Sequence, residues 1–187
     1  VKHFLRIASN INVLPLLQAL QRQPELWSAD RVRQDFSESG RELFKQSPHA
    51  DVDDIILRFP DRDSPTLGDD LICANKEAFS RLPQARPLVL GLMNQVEGAM
   101  LGRVLITRLA PGKCITPHAD TRGAYANYFK RYHVMLQCEP GAVFRAGAEQ
   151  VQMRAGEVWQ FDAHAMHEVV NNSTDDRISL IVDIRSD

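Results

Sequence analysis

The sequence predicts a mainly β (α+β) fold, a double-stranded β-helix or jelly-roll barrel of cupin-like form with N-terminal helices packed against it. Three observations point there. From Gly102 onward the 187-residue chain breaks into short β-prone runs, at 104–109, 132–138, 142–145, 151–154, 158–161 and 178–184. Pro111-Gly112, Glu139-Pro140-Gly141, Ala146-Gly147 and Ala155-Gly156 separate these runs at intervals too short for crossover helices, so the strands should pair antiparallel. The first hundred residues read differently, with apolar residues at helical spacing over 13–23 and 86–99.

Taken in order, the helix at 13–23 is expected from its apolar period, and Pro87 suits the first turn of the helix at 86–99. Between them, 54–59 is a strand candidate closed by Pro60, followed by a turn-rich connection over 61–68. No internal repeat is present. The length suits one compact domain over 1–187, with 1–100 supporting the barrel and 101–187 forming its core.

Lys and Arg number 22 against 24 Asp and Glu, and neither sign forms a block, so no footprint for nucleic acid or an anionic membrane stands out. Cys73, Cys114 and Cys138 are odd in number and lack paired ligand spacing, which argues against a disulfide framework and a structural zinc site. Lys2 and Arg6 interrupt the short apolar run at the start, unlike a secretory signal or a membrane span. A cytoplasmic location is the expectation.

The chemistry-bearing residues lie in the β-rich half. Thr116-Pro-His-Ala-Asp120 sets His118 and Asp120 two residues apart, which in an extended strand turns both side chains to one face. A second histidine from a distant strand would complete a triad, and His164 and His167, after the strand at 157–161, both compete for that place. Two imidazoles and a carboxylate with open positions form the pattern of non-haem iron(II) oxygenases. A 2-oxo acid can fill two of those positions and leave the third for dioxygen. Arg177 opens the last β run and offers a planar, bidentate donor for a second carboxylate of such an acid; its other reading is a solvated strand-edge arginine.

Together, Leu109-Ala-Pro-Gly-Lys-Cys-Ile-Thr-Pro-His-Ala-Asp120, Arg131-Tyr-His-Val134, Ala155-Gly-Glu-Val-Trp-Gln-Phe-Asp162, His167-Glu-Val169 and Asp176-Arg-Ile178 resemble the aspartyl/asparaginyl β-hydroxylase family, which includes bacterial free-amino-acid hydroxylases of the proline cis-hydroxylase type. The resemblance covers roughly residues 102–185 and implies His167 rather than His164 as the second iron ligand. It implies metal roles for His118, Asp120 and His167, the distal carboxylate of 2-oxoglutarate for Arg177, and cosubstrate contacts for Arg131, His133 and Thr107. Some family members carry glycine in place of the metal carboxylate, whereas Asp120 is present here.

The implied cofactors are Fe(II), 2-oxoglutarate as cosubstrate, and O2. The implied activity is that of a dioxygenase hydroxylating an unactivated C–H bond of an amino acid or an aspartyl/asparaginyl-type residue, with release of succinate and CO2. The alternative is a non-catalytic, cupin-like metal or small-molecule binding protein, against which the pair Arg177 and Arg131 argues. A free amino acid and a peptide or protein substrate both remain open, with the short chain favouring the former. Trp159 and Phe161 are expected to fill the barrel, Asp162 or Glu168 to orient an imidazole or stand solvated, and the aromatic-rich loop at 121–130, with Tyr125, Tyr128 and Phe129, to serve as a lid or pack on the surface.

Overall fold

A computed structural model describes residues 2–35, 47–61, 71–120 and 123–186. In chain order the elements are β1 (Phe4–Ala8), α1 (Leu14–Gln21), α2 (Val32–Asp35), β2 (Val52–Phe59), β3 (Ala74–Asn75), α3 (Glu77–Arg81), α4 (Ala85–Gln95), β4 (Gly98–Leu109), β5 (Cys114–His118), α5 (Gly123–Tyr128), β6 (Lys130–Gln137), β7 (Ala142–Ala146), β8 (Glu149–Val151), β9 (Val158–Phe161), β10 (His167–Asn171) and β11 (Arg177–Ser186). They form a seven-stranded sheet in the order β1-β9-β6-β11-β4-β2-β3 and a four-stranded sheet in the order β5-β10-β7-β8. Neighbouring strands run antiparallel.

Strand alternation gives the large sheet two unlike faces. Ile55, Leu57, Val104, Ile106, Val134, Leu136, Leu180 and Val182 point outward and pack against Leu16 and Leu20 of α1 and Val89 and Leu92 of α4. The opposite face looks across to the small sheet and carries the second core, with Val52, Leu109, Met135 and Phe161 meeting Phe144, Ile115 and Val169. The same inward parity also holds Asp54, Thr107, Arg131, His133, Arg177, Ser179 and Asp183. Buried polar groups need partners, so this face is where a ligand chamber belongs.

Several elements differ from expectation. Helix α4 stops at Gln95 because Glu97 takes a left-handed backbone, φ 52°, and the remaining residues of the expected helix start β4. The strand expected at 151–154 is the earlier, shorter β8, and Met153 turns into the core instead. β1, which the sequence does not predict because Arg6 interrupts a short apolar run, is an edge strand held by Phe4 opposite Phe161. Part of the expected loop at 121–130 is helix α5, with Tyr125 and Phe129 stacked at 4.4 Å and buried against Cys73. Thr121 and Arg122 of that loop, and the turn-rich connection beyond Asp61, lie outside the described residues. Among the described residues no helix is long and apolar enough to cross a membrane.

Candidate metal centre

β5 and β10 are neighbours in the small sheet, and His118 stands directly opposite His167. Between His118 and Ile115 the register slips against His167 and Val169, so three steps on β5 face two on β10. This bulge turns His118 toward the chamber that Ile115 also faces; bulges re-aim side chains in this way. Asp120 follows just past the strand, where its N–H donates to Ala163 O at 2.9 Å in the turn ahead of β10. One ligand atom from each of His118, Asp120 and His167 lies within 4.8 Å of the others.

Both imidazoles are fixed from behind. His118 Nδ1 donates to Thr116 O at 2.8 Å and His167 Nδ1 donates to Ala165 O at 2.9 Å. A carbonyl only accepts, so each ring carries its proton on Nδ1 and presents a bare Nε2. Burial, and then the neighbouring His118 ring, bring His167 down to about 4, which keeps it a neutral donor near neutral pH. Burial opposes ionisation of Asp120, but Arg131 and the two imidazoles outweigh it and hold the carboxyl below its usual range. Two neutral imidazole nitrogens and one carboxylate, converging and unblocked, fit a divalent first-row ion such as iron(II).

Behind the carboxylate stands a charged chain. Arg131 reaches Asp120 with Nη1, while its Nε and Nη2 donate to the two oxygens of Asp183 at 2.8 and 2.9 Å. Tyr125 donates its hydroxyl to Asp183 at 3.1 Å and accepts the backbone N–H of Arg103 at 2.6 Å. Burial and the Asp183 charge raise the Tyr125 phenol, so it stays a proton donor to that carboxylate.

Arg177 sits at the other end of the inward face, 2% exposed. Its Nη2 meets the sulfur atoms of Met135 and Met153 at 3.8 and 4.0 Å, and its guanidinium carbon lies 5.7 Å from the Phe144 ring centre. No ion pair joins it to a carboxylate of the described residues. His133 lies between the two ends, its Nδ1 3.2 Å from Ser179 Oγ and its ring edge-on to Phe144 and Phe161. Burial, then Arg177 and Arg131, hold His133 well below the usual imidazole range.

The sequence-derived residues therefore fall into two groups. His118, Asp120, His167, His133, Arg131 and Arg177 share one chamber. Thr107 faces it as well, but its hydroxyl donates to Asp54 at 2.9 Å. Arg131 is committed to two carboxylates rather than held open. His164 is exposed and bonds to Asn127; Asp162 bonds to His3 and Glu168 to Arg145, so neither acid touches the His167 ring. Phe161 fills the core, whereas Trp159 is half-buried and donates to Glu157. Asp183, Asp54, Arg33 and His49 are not among the sequence-derived residues, and Tyr125, expected in a lid or surface loop, donates to Asp183 instead. Asp183 had a signal: it shares the parity of Arg177 and Ser179 along β11.

Comparison with known proteins agrees with this architecture. A family model described as Aspartyl/Asparaginyl beta-hydroxylase matches residues 70–187. An L-proline cis-3-hydroxylase from a Streptomyces species is 35% identical over 83 residues, which are 43% of this chain and 29% of the relative, so the chain spans under a third of that relative's length. An oxidoreductase of the 2OG-Fe(II) oxygenase family from Burkholderia pseudomallei superimposes with a TM-score of 0.53 at 13% identity, covering 72% of this chain and 67% of that one. The non-heme alpha-ketoglutarate-dependent epimerase SnoN from nogalamycin biosynthesis gives 0.57 at 15% identity, covering 98% of this chain and 78% of that one. At these identities the likeness establishes the fold, a double-stranded β-helix.

Proposed function

The chain belongs to the aspartyl/asparaginyl beta-hydroxylase family, and from that membership we propose that it is an iron(II)- and 2-oxoglutarate-dependent dioxygenase that hydroxylates an unactivated C–H bond of an amino acid. His118, Asp120 and His167 would hold the iron through three donors on one side of the ion, leaving the remaining positions toward the chamber. Bound together, iron(II), 2-oxoglutarate and O2 supply an oxidation that turns the cosubstrate into succinate and CO2 and places one oxygen atom on carbon.

The observation that carries this reading is Arg177: a guanidinium 2% exposed, among two methionines and a phenylalanine, on the inward face of the large sheet that looks across to the strands carrying His118 and His167. A buried charge without a counter-charge is costly, and a dicarboxylate running from the metal to Arg177 would offset that cost. A bidentate fork suits the far carboxylate. His133 and Ser179 lie along the path between, and the apolar wall of Met135, Phe144 and Phe161 keeps water from the reacting region. Arg131, braced by Asp183, holds Asp120 in its orientation. A merely metal-binding barrel has no use for a second, distant cation on the chamber wall.

The test is turnover of 2-oxoglutarate to succinate with Fe(II) and O2 across an amino-acid and peptide panel, with mass spectrometry for gain of one oxygen atom. His167→Ala is expected to abolish both metal binding and succinate formation, while His164→Ala keeps them. Succinate from no member of the panel, alongside intact metal binding, would favour the non-catalytic binder.

A further inference from the structure

The family match begins at residue 70, yet the metal chamber is closed by residues ahead of it. Val32 of α2 packs with Ile56, Phe59, Leu105 and Ile181 on the inward face of β2, β4 and β11. The next residue, Arg33, brings its Nε within 3.3 Å of Asp54 Oδ2. Asp54 is 0% exposed and already accepts hydrogen bonds from Thr107 at 2.9 Å and Gln34 at 3.0 Å. Among the described residues the buried Arg33 Nε has this ion-pair partner but no hydrogen bond.

The same helix is tied to the metal side. Ser47 donates its hydroxyl to Arg33 O at 2.7 Å, and Pro48 O accepts the N–H of Thr116 at 3.2 Å, two residues before His118. His49 then stands edge-on to His118, with ring centres 4.8 Å apart.

We propose that Arg33 is the substrate anchor, its guanidinium taking the α-carboxylate of a free amino acid against the metal face, with Asp54 as the positioning residue that aims it. The inference rests on the oxygenase reading above and deepens it to a substrate class. A buried guanidinium held in an ion pair without a hydrogen bond is complemented by a carboxylate and poorly by a neutral amide, because only the former brings paired, charged acceptors. An internal peptide residue has an amide in that place. Arg33 approaches from α2 beside β2, whereas Arg177 stands on β11 among Met135, Met153 and Phe144, so the two guanidiniums serve different acids. His49 packs its ring against the His118 ligand on the segment that Ser47 ties to Arg33.

Thermal unfolding of the full chain loaded anaerobically with Fe(II) and 2-oxoglutarate tests this, using the twenty L-amino acids, their carboxamides, and N-acetyl aspartyl and asparaginyl amides as probes. At least one free amino acid should raise the melting temperature, and its carboxamide should not. Arg33→Lys keeps the charge facing Asp54 but loses the fork, and should weaken that amino acid roughly ten- to hundredfold with 2-oxoglutarate affinity unchanged. The double variant R33Q/D54N removes both charges together, avoids a lone buried carboxylate, and should lose the amino-acid response with the 2-oxoglutarate response kept. Equal binding of carboxamides, a response confined to capped residues, no response to any free amino acid, or wild-type affinity in the Arg33 variants would each overturn the assignment. Absence of any 2-oxoglutarate response in the wild type would instead remove the oxygenase reading beneath it.

Discussion

Replacing Arg177 with methionine should make the ligand-free protein more stable and blind to 2-oxoglutarate. The guanidinium is 2% exposed, and its described neighbours include thioethers at 3.8 and 4.0 Å, an aromatic ring at 5.7 Å and the Cys138 thiol, none of them a carboxylate. Burial depresses its pKa, with the Cys138 thiol opposing, which reports how poorly the cation is solvated there. Exchanging buried ionic groups for apolar ones of similar volume stabilises by about 1–4 kcal/mol, and methionine preserves the unbranched stem. Taking about 2 kcal/mol, a chain of this size should melt roughly 4–8 °C higher. Wild type, given 2-oxoglutarate at a hundred times its Kd in the presence of metal, should gain about 2.7 kcal/mol, whereas Arg177→Met should gain nothing. Paired thermal scans of metal-loaded protein, with and without 2-oxoglutarate, measure both numbers. A variant that melts lower than wild type without ligand, or still responds to 2-oxoglutarate, would show that the charge is satisfied within the fold.

Asp183→Asn leaves the Arg131 guanidinium facing a neutral amide in a site 1% exposed, so it should cost about 3–5 kcal/mol in urea unfolding. By loosening Asp120 it should also weaken metal affinity about ten- to hundredfold in a Zn(II) or Fe(II) titration, and unchanged affinity would mean that Arg131 needs no brace. Gly102→Ala places a Cβ against the Tyr125 hydroxyl and 2.8 Å from Phe129 Cε1, so α5 must shift, at about 1–3 kcal/mol by denaturant midpoint; wild-type stability would mean that the helix rides loosely on β4. The metal-free protein should also be acid-labile. His133 is held well below the usual imidazole value and His167 lies at about 4, so the unfolded chain takes up protons first as pH falls. Their neutral-form stability is complete above about 6.5 and is lost toward the folded values, at about 1.4 kcal/mol per pH unit per histidine. A urea midpoint flat between pH 6.5 and 4 would place charged imidazoles in the native fold.

Periodicity and spacing made part of this site legible. His118 and Asp120 are close in sequence, and Arg177 opens a run of β-branched and aliphatic residues, so each had a local signature. What brings His167 to them is register: β10 starts on that histidine and pairs with β5 across a bulge, which no local pattern announces. Asp183 and Asp54 sat inside runs read as strands, where an acid suggests a solvent-facing position. Their partners Arg131 and Thr107 lie 52 and 53 residues away in sequence, so only the assembled sheet shows what these acids pair with. The loop at 121–130 misled for a related reason. Its aromatics pack on Cys73 and close over Gly102, contacts fixed by tertiary packing that helix propensity does not encode.

The two ends of the inward face obey opposite stability rules, and that contrast argues that they hold different ligands. At the Asp120 end each buried charge has an opposite charge within the fold, so deleting one member strands another and destabilises the protein. Such a network adds little net stability over an apolar core; what it provides is a carboxylate held in one orientation, which a metal ligand needs and a structural residue does not. At the Arg177 end the fold keeps a cation among thioethers, the Cys138 thiol and an aromatic ring, with no carboxylate partner among the described residues, so deletion should relieve rather than strand. Under the proposed oxygenase function, a buried cation without a carboxylate partner is completed by an anion that arrives from solution. The braced end therefore reads as the resident-metal side of the chamber, and the bare end as the side that waits for a cosubstrate entering and leaving with each turnover.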